Sequence, residues 1–218
     1  TLWPPSERGD TPFGRWMHRS AEREPDIVEV VSLERMGTED LSALVTQGAP
    51  ATDPAVVRRF TEAADGNPLV LKGYLEIGSV KDTLVDGHYD LDPNDDLFND
   101  LPRSVEALYT RLWEDLPDEV QKLLSLATVG GMRFVTDWLV QTASDLLALE
   151  HSATLLRSEG GWVGVLDDAL ASFGERSRYL AALDAAPEEL GRRRSSAAHR
   201  LLEYIDALRS LGSWNALP

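Results

Sequence analysis

Hydrophobic residues recur at intervals of three and four positions along most of the chain, a spacing that predicts amphipathic α-helices. Residues 38–78 contain three such segments, residues 105–127 two, residues 136–158 two, and residues 176–211 two more. The strand-like stretches are Ile27–Val31 and a terminal hairpin, formed by Trp162–Leu166 and Ala169–Phe173 around the turn Asp167-Asp168. The pattern therefore predicts a mainly α protein with a small amount of sheet.

Several predicted helices begin at a residue that can cap a helix or at a proline. Thr38, Asp53 and Thr136 are the predicted caps, and Asp53 is followed by Pro54. One further helix is predicted near the N-terminus, where Phe13, Trp16 and Met17 share a face. The stripes expected to be buried in the first two helices after residue 37 are Leu41, Leu44 and Val45, then Val56, Val57, Phe60 and Ala64.

The sharpest interruption of the helical pattern lies at Gly66-Asn67-Pro68. Gly66 can take the left-handed conformation that ends the helix Val56–Ala64, and Asn67 can cap the next helix. Pro68 suits the first position of that helix, where no N–H is needed, and the helix is expected to run to about Ile77. On physical grounds alone, this segment is a rigid helix–helix corner.

Composition and charge narrow the possible partners. The chain has 218 residues, of which 43% are apolar, and 37 acidic against 21 basic residues give a net charge of −16. This charge repels nucleic acid and anionic membranes, so both are unlikely partners. The chain lacks cysteine and any apolar run of membrane-spanning length. We therefore expect a cytoplasmic protein with two or three small subdomains.

The acidic stretch 79–100 contains a partial match to a calcium-binding loop. Asp90, Asp92 and Asn94 occupy the first three ligand positions, but Asp95 replaces the required glycine and Leu101 replaces the bidentate glutamate. We interpret the stretch as a solvated acidic connection. The four histidines also lack the spacing of metal ligands, so no metal site is expected.

Three segments, taken in order, resemble the second half of a STAND-class signalling NTPase, the group that includes NACHT and NB-ARC proteins. They are Ile27–Val31 leading into Met36–Leu41, the corner Gly66-Asn67-Pro68, and the helical block that opens at Leu101-Pro102. The resemblance implies a remnant of an α/β P-loop core at residues 1–35 and a helical lid domain at residues 36–100. It further implies a winged-helix domain at residues 101–173 and C-terminal helices at residues 174–218, identified with the start of helical repeats.

The resemblance also implies a nucleotide site. In STAND proteins the lid lies over the nucleotide, and the proline of a glycine-x-proline motif packs near the adenine. That role falls on Pro68, with Gly66 and Asn67 shaping the turn. ATP or ADP is the implied cofactor of a parent protein, with Mg²⁺ bound outside this chain, and none is expected in the chain alone. The implied partners are the protein's own N-terminal NTPase core, other copies of the parent, and a protein ligand of downstream repeats.

Some positions depart from the family pattern. Relatives often place a histidine just after the hairpin to contact the β-phosphate of ADP, but Glu175 stands there, so either Arg176 or Arg178 substitutes or this lock is lost. Thr1 would lie near a sensor position, without the arginine that often follows. No phosphate-loop motif accompanies Asp167-Asp168, which imitate a magnesium-binding Walker B pair. We therefore expect a fragment of a longer protein that is not itself an enzyme.

Two other functions stay open. The chain could be a stand-alone helical interaction module whose acidic face binds a basic partner. It could also be a winged-helix DNA-binding regulator, in which the helix at Asp145–Glu159 would enter the groove. That helix carries too little positive charge to neutralise several phosphates, and the run Arg192-Arg193-Arg194 is expected to form a solvated face or to contact the acidic lid.

Overall fold

The computed structural model describes residues 19, 23, 34–158, 161–166, 169–185 and 188–210. The chain divides into two compact units, Thr1–Gly37 and Thr38–Pro218, and all that follows concerns the second. The predicted strand Ile27–Val31, the helix predicted from Phe13, the Thr1 sensor position and the turn Asp167-Asp168 lie outside the described residues. The segments 36–100 and 101–173 share the second unit from Thr38 onward, and the boundary between them stays a prediction.

The second unit is mainly helical, as predicted. None of its described helices is both long and apolar enough to cross a lipid bilayer. The elements in chain order are α1 (Thr38–Gly48), α2 (Pro54–Ala64), α3 (Pro68–Glu76), α4 (Gly78–Lys81), β1 (Leu84–Val85), β2 (His88–Tyr89), α5 (Val105–Glu114), α6 (Asp118–Ala127), β3 (Arg133–Val135), α7 (Thr136–Leu147), α8 (Ser152–Ser158), β4 (Val163–Val165), β5 (Leu170–Phe173), α9 (Arg176–Asp184) and α10 (Glu188–Ser210).

For description, the second unit is divided into a first half, residues 38–104, and a second half, residues 105–210. An aromatic cluster fills the core of the first half. Phe60 of α2 is fully buried, and the rings of Tyr89 and Phe98 meet it edge-on at centroid distances of 5.6 and 5.0 Å. Tyr89 lies on the β1–β2 hairpin and Phe98 on a single 3₁₀ turn, Asp96–Phe98. The acidic stretch after α4 is therefore not merely a solvated connection, because it contributes two core aromatic side chains.

The two halves pack closely where α3 crosses α5. Gly73 of α3 lies so near Leu108 of α5 that a Cβ at position 73 would overlap the leucine side chain. Just beyond α3, the backbone N–H of Gly78 donates to Asp115 Oδ2 at the end of α5, at 2.9 Å. The absence of a side chain at Gly73 thus permits a close helix crossing, and this crossing joins the first half to the second.

A three-stranded antiparallel sheet closes the second half, with strand order β3-β5-β4. Phe134 pairs with Ala171, and Val163 pairs with Phe173, so the predicted hairpin forms and a third strand joins it. The extra strand, β3, lies between α6 and α7. Its three residues were too few to be recognised as a strand in the sequence.

Three local expectations are corrected. Leu44 was placed in the buried stripe of α1 but is 41% exposed. Thr136 is the first residue of α7, and Val135 holds the cap position without a side-chain cap bond. The helix expected at Asp145–Glu159 is shorter, because Ala148 takes a left-handed φ of 54° that ends α7, and α8 starts only at Ser152.

The arginines of the basic run on α10 do not share a single role. Arg192 is exposed, as a solvated face would be. Arg194 instead donates to the carbonyl groups of Ala182 and Leu183 at 2.9 and 3.0 Å. A guanidinium group at the C-terminal end of α9 satisfies carbonyl groups that have no partner within the helix, which ties α10 to α9.

Candidate functional site

The predicted corner forms, with one adjustment at its turn. Asp65 and Gly66 both adopt left-handed conformations, with φ of 46° and 77°, so two residues and not Gly66 alone end α2. The side chain of Asn67 accepts hydrogen bonds from Leu69 N at 3.0 Å and Val70 N at 3.3 Å. Pro68 occupies the first helical position and is exposed. Gly66, Asn67 and Pro68 therefore fix the direction in which α3 leaves α2.

The cap should contribute measurably to stability. We expect Asn67→Ala to lower the free energy of unfolding by about 1 kcal/mol, because two backbone N–H groups lose their acceptor. Urea denaturation followed by circular dichroism measures the change. Asn94→Ala, an exposed asparagine outside any helix, is the control and should change stability by less than about 0.5 kcal/mol. A loss at position 67 no larger than at position 94 would contradict the capping role.

One face of α3 extends from the corner to residues far along the chain. Pro68, Lys72 and Glu76 follow at four-residue intervals, so they form one stripe of the helix. Lys72 Nζ lies 3.9 Å from Glu76 Oε1 and 3.4 Å from Glu175 Oε1. Glu175 directly precedes α9, and its other carboxylate oxygen accepts a hydrogen bond from the Tyr109 hydroxyl. The stripe that starts at Pro68 thus meets the residue that follows the hairpin.

Arg178 makes the buried part of the same cluster. Its side chain is only 2% exposed, and its Nη2 donates to Glu76 Oε2 at 2.5 Å. The guanidinium carbon lies 5.4 Å from the centre of the Trp162 ring and 5.9 Å from that of Tyr109. The charge is therefore held between one carboxylate and two aromatic rings, as cation–π contacts favour.

Tyr109 stays protonated in this setting. Burial raises the pKa of its hydroxyl, and the hydrogen bond to the Glu175 carboxylate and the negative charge of that group raise the pKa further. Arg178 acts in the opposite direction but does not reverse the shift. The tyrosine is thus a fixed hydrogen-bond donor that orients Glu175 towards Lys72. We call Lys72, Glu76, Tyr109, Glu175 and Arg178 the latch cluster.

The latch cluster corrects one expectation about phosphate contacts. Arg178 was one of two arginines that could replace the missing histidine, but its buried guanidinium is already bound to Glu76. Arg176 is exposed at the start of α9. Glu175 itself contacts Lys72 of α3. Of the contacts in the cluster, the Lys72–Glu76 pair alone could be expected from sequence spacing, since the hydrogen bonds of Glu175 and Arg178 span 66 residues or more.

The described residues contain no group of three or more histidine, cysteine, aspartate or glutamate side chains placed to hold a metal ion. In the partial calcium loop, the Asp92 carboxylate instead accepts a hydrogen bond from the backbone N–H of Asn94 at 2.8 Å. Comparison of the chain with protein-family models, with curated proteins and with solved structures finds no match. The functional interpretation therefore depends on the corner and the latch cluster.

Proposed function

We propose that this chain is the regulatory part of a STAND-class signalling NTPase: a helical lid and a winged helix that respond to ATP and ADP and control oligomerisation or activation of an effector. The observation that carries the proposal is the contact between Lys72 and Glu175. By resemblance, Pro68 contacts the adenine and residue 175 stands where the phosphate-contacting histidine lies. Lys72 lies one turn from Pro68 and contacts Glu175, so Pro68 and Glu175 border the same stripe of α3, which supports the proposal.

The topology of the second half supports the winged-helix interpretation. Its order is α6, β3, α7, α8, β4 and β5, and β5 lies between β3 and β4 in the sheet. A winged helix has the same parts, with three helices, a short strand after the first of them, and a terminal hairpin. The helix α5 precedes this set and supplies the crossing with α3.

Switching then requires an element with two states that the two nucleotides favour differently. The latch cluster supplies the closed state, since it connects the lid helix α3 to α5 and α9. Lys72 is 61% exposed, so its contact with Glu175 is an exchangeable surface pair. A nucleotide phosphate that attracts Lys72 would compete with Glu175 for it. Nucleotide binding and closure would then be coupled through this single lysine.

The charges around α8 give little support to the alternative that this chain is a DNA-binding winged-helix protein. His151, just before α8, lies with its Nε2 3.0 Å from Glu119 Oε2. Arg157 is the basic residue in the last turn of this seven-residue helix. A surface that binds duplex DNA must neutralise several phosphates, and this one offers acidic neighbours instead.

The proposal is tested by calorimetry of ADP and ATP binding to the parent protein that contains a phosphate loop. We expect Pro68→Ala to weaken ADP binding by about tenfold, which corresponds to a loss of about 1.4 kcal/mol of contact energy. Pro54→Ala is the matched control, because Pro54 occupies the same first position in α2. Lys72→Gln should change the ratio of ADP to ATP affinity.

Equal effects of Pro68→Ala and Pro54→Ala would contradict the placement of adenine at the corner. Absence of nucleotide binding by a folded parent with a phosphate loop would contradict the proposal as a whole. In that outcome a helical protein-interaction module becomes the better interpretation of the same fold.

A further inference from the structure

A pocket of about 190 Å³ lies beside the corner, between α2, α3 and the segment that leads into α5. Ala63, Phe98 and Leu101 supply its apolar wall, and Arg59 and Arg103 supply its positive charge. Glu62, Tyr74 and Asn99 complete the lining. Tyr74 is two positions from Lys72 on α3, so the pocket opens on a different face of the helix from the Pro68 stripe.

Arg59 packs against an aromatic ring, and its Nε has no hydrogen-bond partner. Its guanidinium carbon lies 5.2 Å from the centre of the Phe98 ring. Its Nε is buried and has no hydrogen-bond partner. Burying such a donor without an acceptor is unfavourable, and most buried donors in native proteins are paired. The Arg59 side chain also lines the pocket, and among the described residues its guanidinium group forms no ion pair.

The other polar groups of the pocket are largely occupied. Tyr74 donates its hydroxyl hydrogen to the carbonyl oxygen of Pro102 at 2.7 Å, and Asn99 Nδ2 lies 3.3 Å from Asp96 Oδ1. Glu62 forms an ion pair of 3.8 Å with Arg58. Arg103 is exposed, and among the described residues its side chain forms no ion pair or hydrogen bond. Two guanidinium groups thus line one pocket without a carboxylate bound to either.

We propose that this pocket binds a phosphate group, with Arg59 and Arg103 as its two cationic ligands. A phosphate dianion matches two guanidinium charges, and planar guanidinium groups bind its oxygens through paired hydrogen bonds. The apolar wall formed by Ala63, Phe98 and Leu101 leaves room for the organic part of a phosphate ester. The site is distinct from the proposed nucleotide face, and it gives a strongly acidic chain a specific place for an anion.

The test measures binding of inorganic phosphate and of phenyl phosphate to the 218-residue chain by calorimetry, at constant ionic strength. We expect saturable binding by the wild type, and Arg59→Gln and Arg103→Gln should each weaken it by about tenfold or more, as the loss of a charge-assisted hydrogen bond predicts. Arg157→Gln is the control. It removes the same charge from an exposed arginine of α8 that does not line the pocket, and it leaves the Arg58–Glu62 pair intact.

Arg103→Gln keeps the proposal testable if Arg59→Gln disturbs the fold, because Arg103 is exposed. Tighter binding of phenyl phosphate than of inorganic phosphate would identify an ester as the ligand, and equal binding would identify free phosphate. Absence of saturable binding at millimolar concentrations would overturn the proposal. An equal loss in Arg157→Gln and Arg103→Gln would also overturn it, because that result would reflect net charge alone.

Discussion

Replacing Phe60 by alanine is expected to lower the free energy of unfolding by about 4 kcal/mol. The side chain is fully buried, and it meets both Tyr89 and Phe98 in edge-on contacts. Truncation removes the burial of one large ring and two aromatic contacts, and it leaves a cavity that α2 cannot fill. Equilibrium denaturation in urea, followed by tryptophan fluorescence and circular dichroism, measures the loss.

Leu44→Ala is the matched control, because it also truncates an apolar side chain of a helix, α1, in the same half of the unit. Leu44 is 41% exposed, so its loss should change stability by less than about 1 kcal/mol. A loss below about 1.5 kcal/mol in Phe60→Ala would show that the aromatic cluster is not the main core of this half.

The same substitution has a consequence for the phosphate pocket. Phe98 is packed against Phe60 on one side and carries the guanidinium group of Arg59 near its ring. Without Phe60, the Phe98 ring loses the support that sets its position. The aromatic core therefore also positions a cation of the pocket, and stability and binding at this site are physically linked.

The starts of α2 and α3 and the corner between them could be predicted because their causes are local. Asn67 caps α3 through bonds to backbone groups two and three residues away, and Asp53 caps α2 in the same way. Such short-range bonds depend on residue type and spacing, which the sequence displays directly. The terminal hairpin was equally accessible, because apolar residues flank a turn within twelve positions.

The latch cluster and the pocket lined by Arg59 and Arg103 could not be predicted, because each is assembled by the packing of distant segments. Glu175 meets Lys72 across 103 positions, and Arg178 meets Glu76 across 102. Which carboxylate faces which cation depends on the crossing of α3 and α5, which Gly73 permits. The predicted burial of Leu44 was wrong for a related reason. Helical spacing places a residue near the apolar stripe, but it does not fix the width of the surface against which the helix packs.

Replacing Glu76 by leucine is expected to lower the free energy of unfolding by about 3 kcal/mol, the low end of the range for breaking a buried ion pair. Arg178 is 2% exposed and would keep its charge without the carboxylate that now binds it. The Glu76 side chain is 32% exposed, so the expected loss of stability is smaller than for a fully buried pair. Urea denaturation measures the change. Lys72→Gln, one turn away on the same stripe, should lose less than about 1 kcal/mol because Lys72 is exposed.

The double variant Glu76→Leu with Arg178→Met separates the ion pair from simple packing. A methionine can occupy the space between Trp162 and Tyr109 without carrying a charge, so the double variant should be more stable than Glu76→Leu alone. The coupling between the two positions is expected to be about 2 kcal/mol. Additive losses would contradict the pairing. A coupled pair would mean that α3 and the segment after the hairpin are joined by charge, as the proposed nucleotide-controlled closure requires.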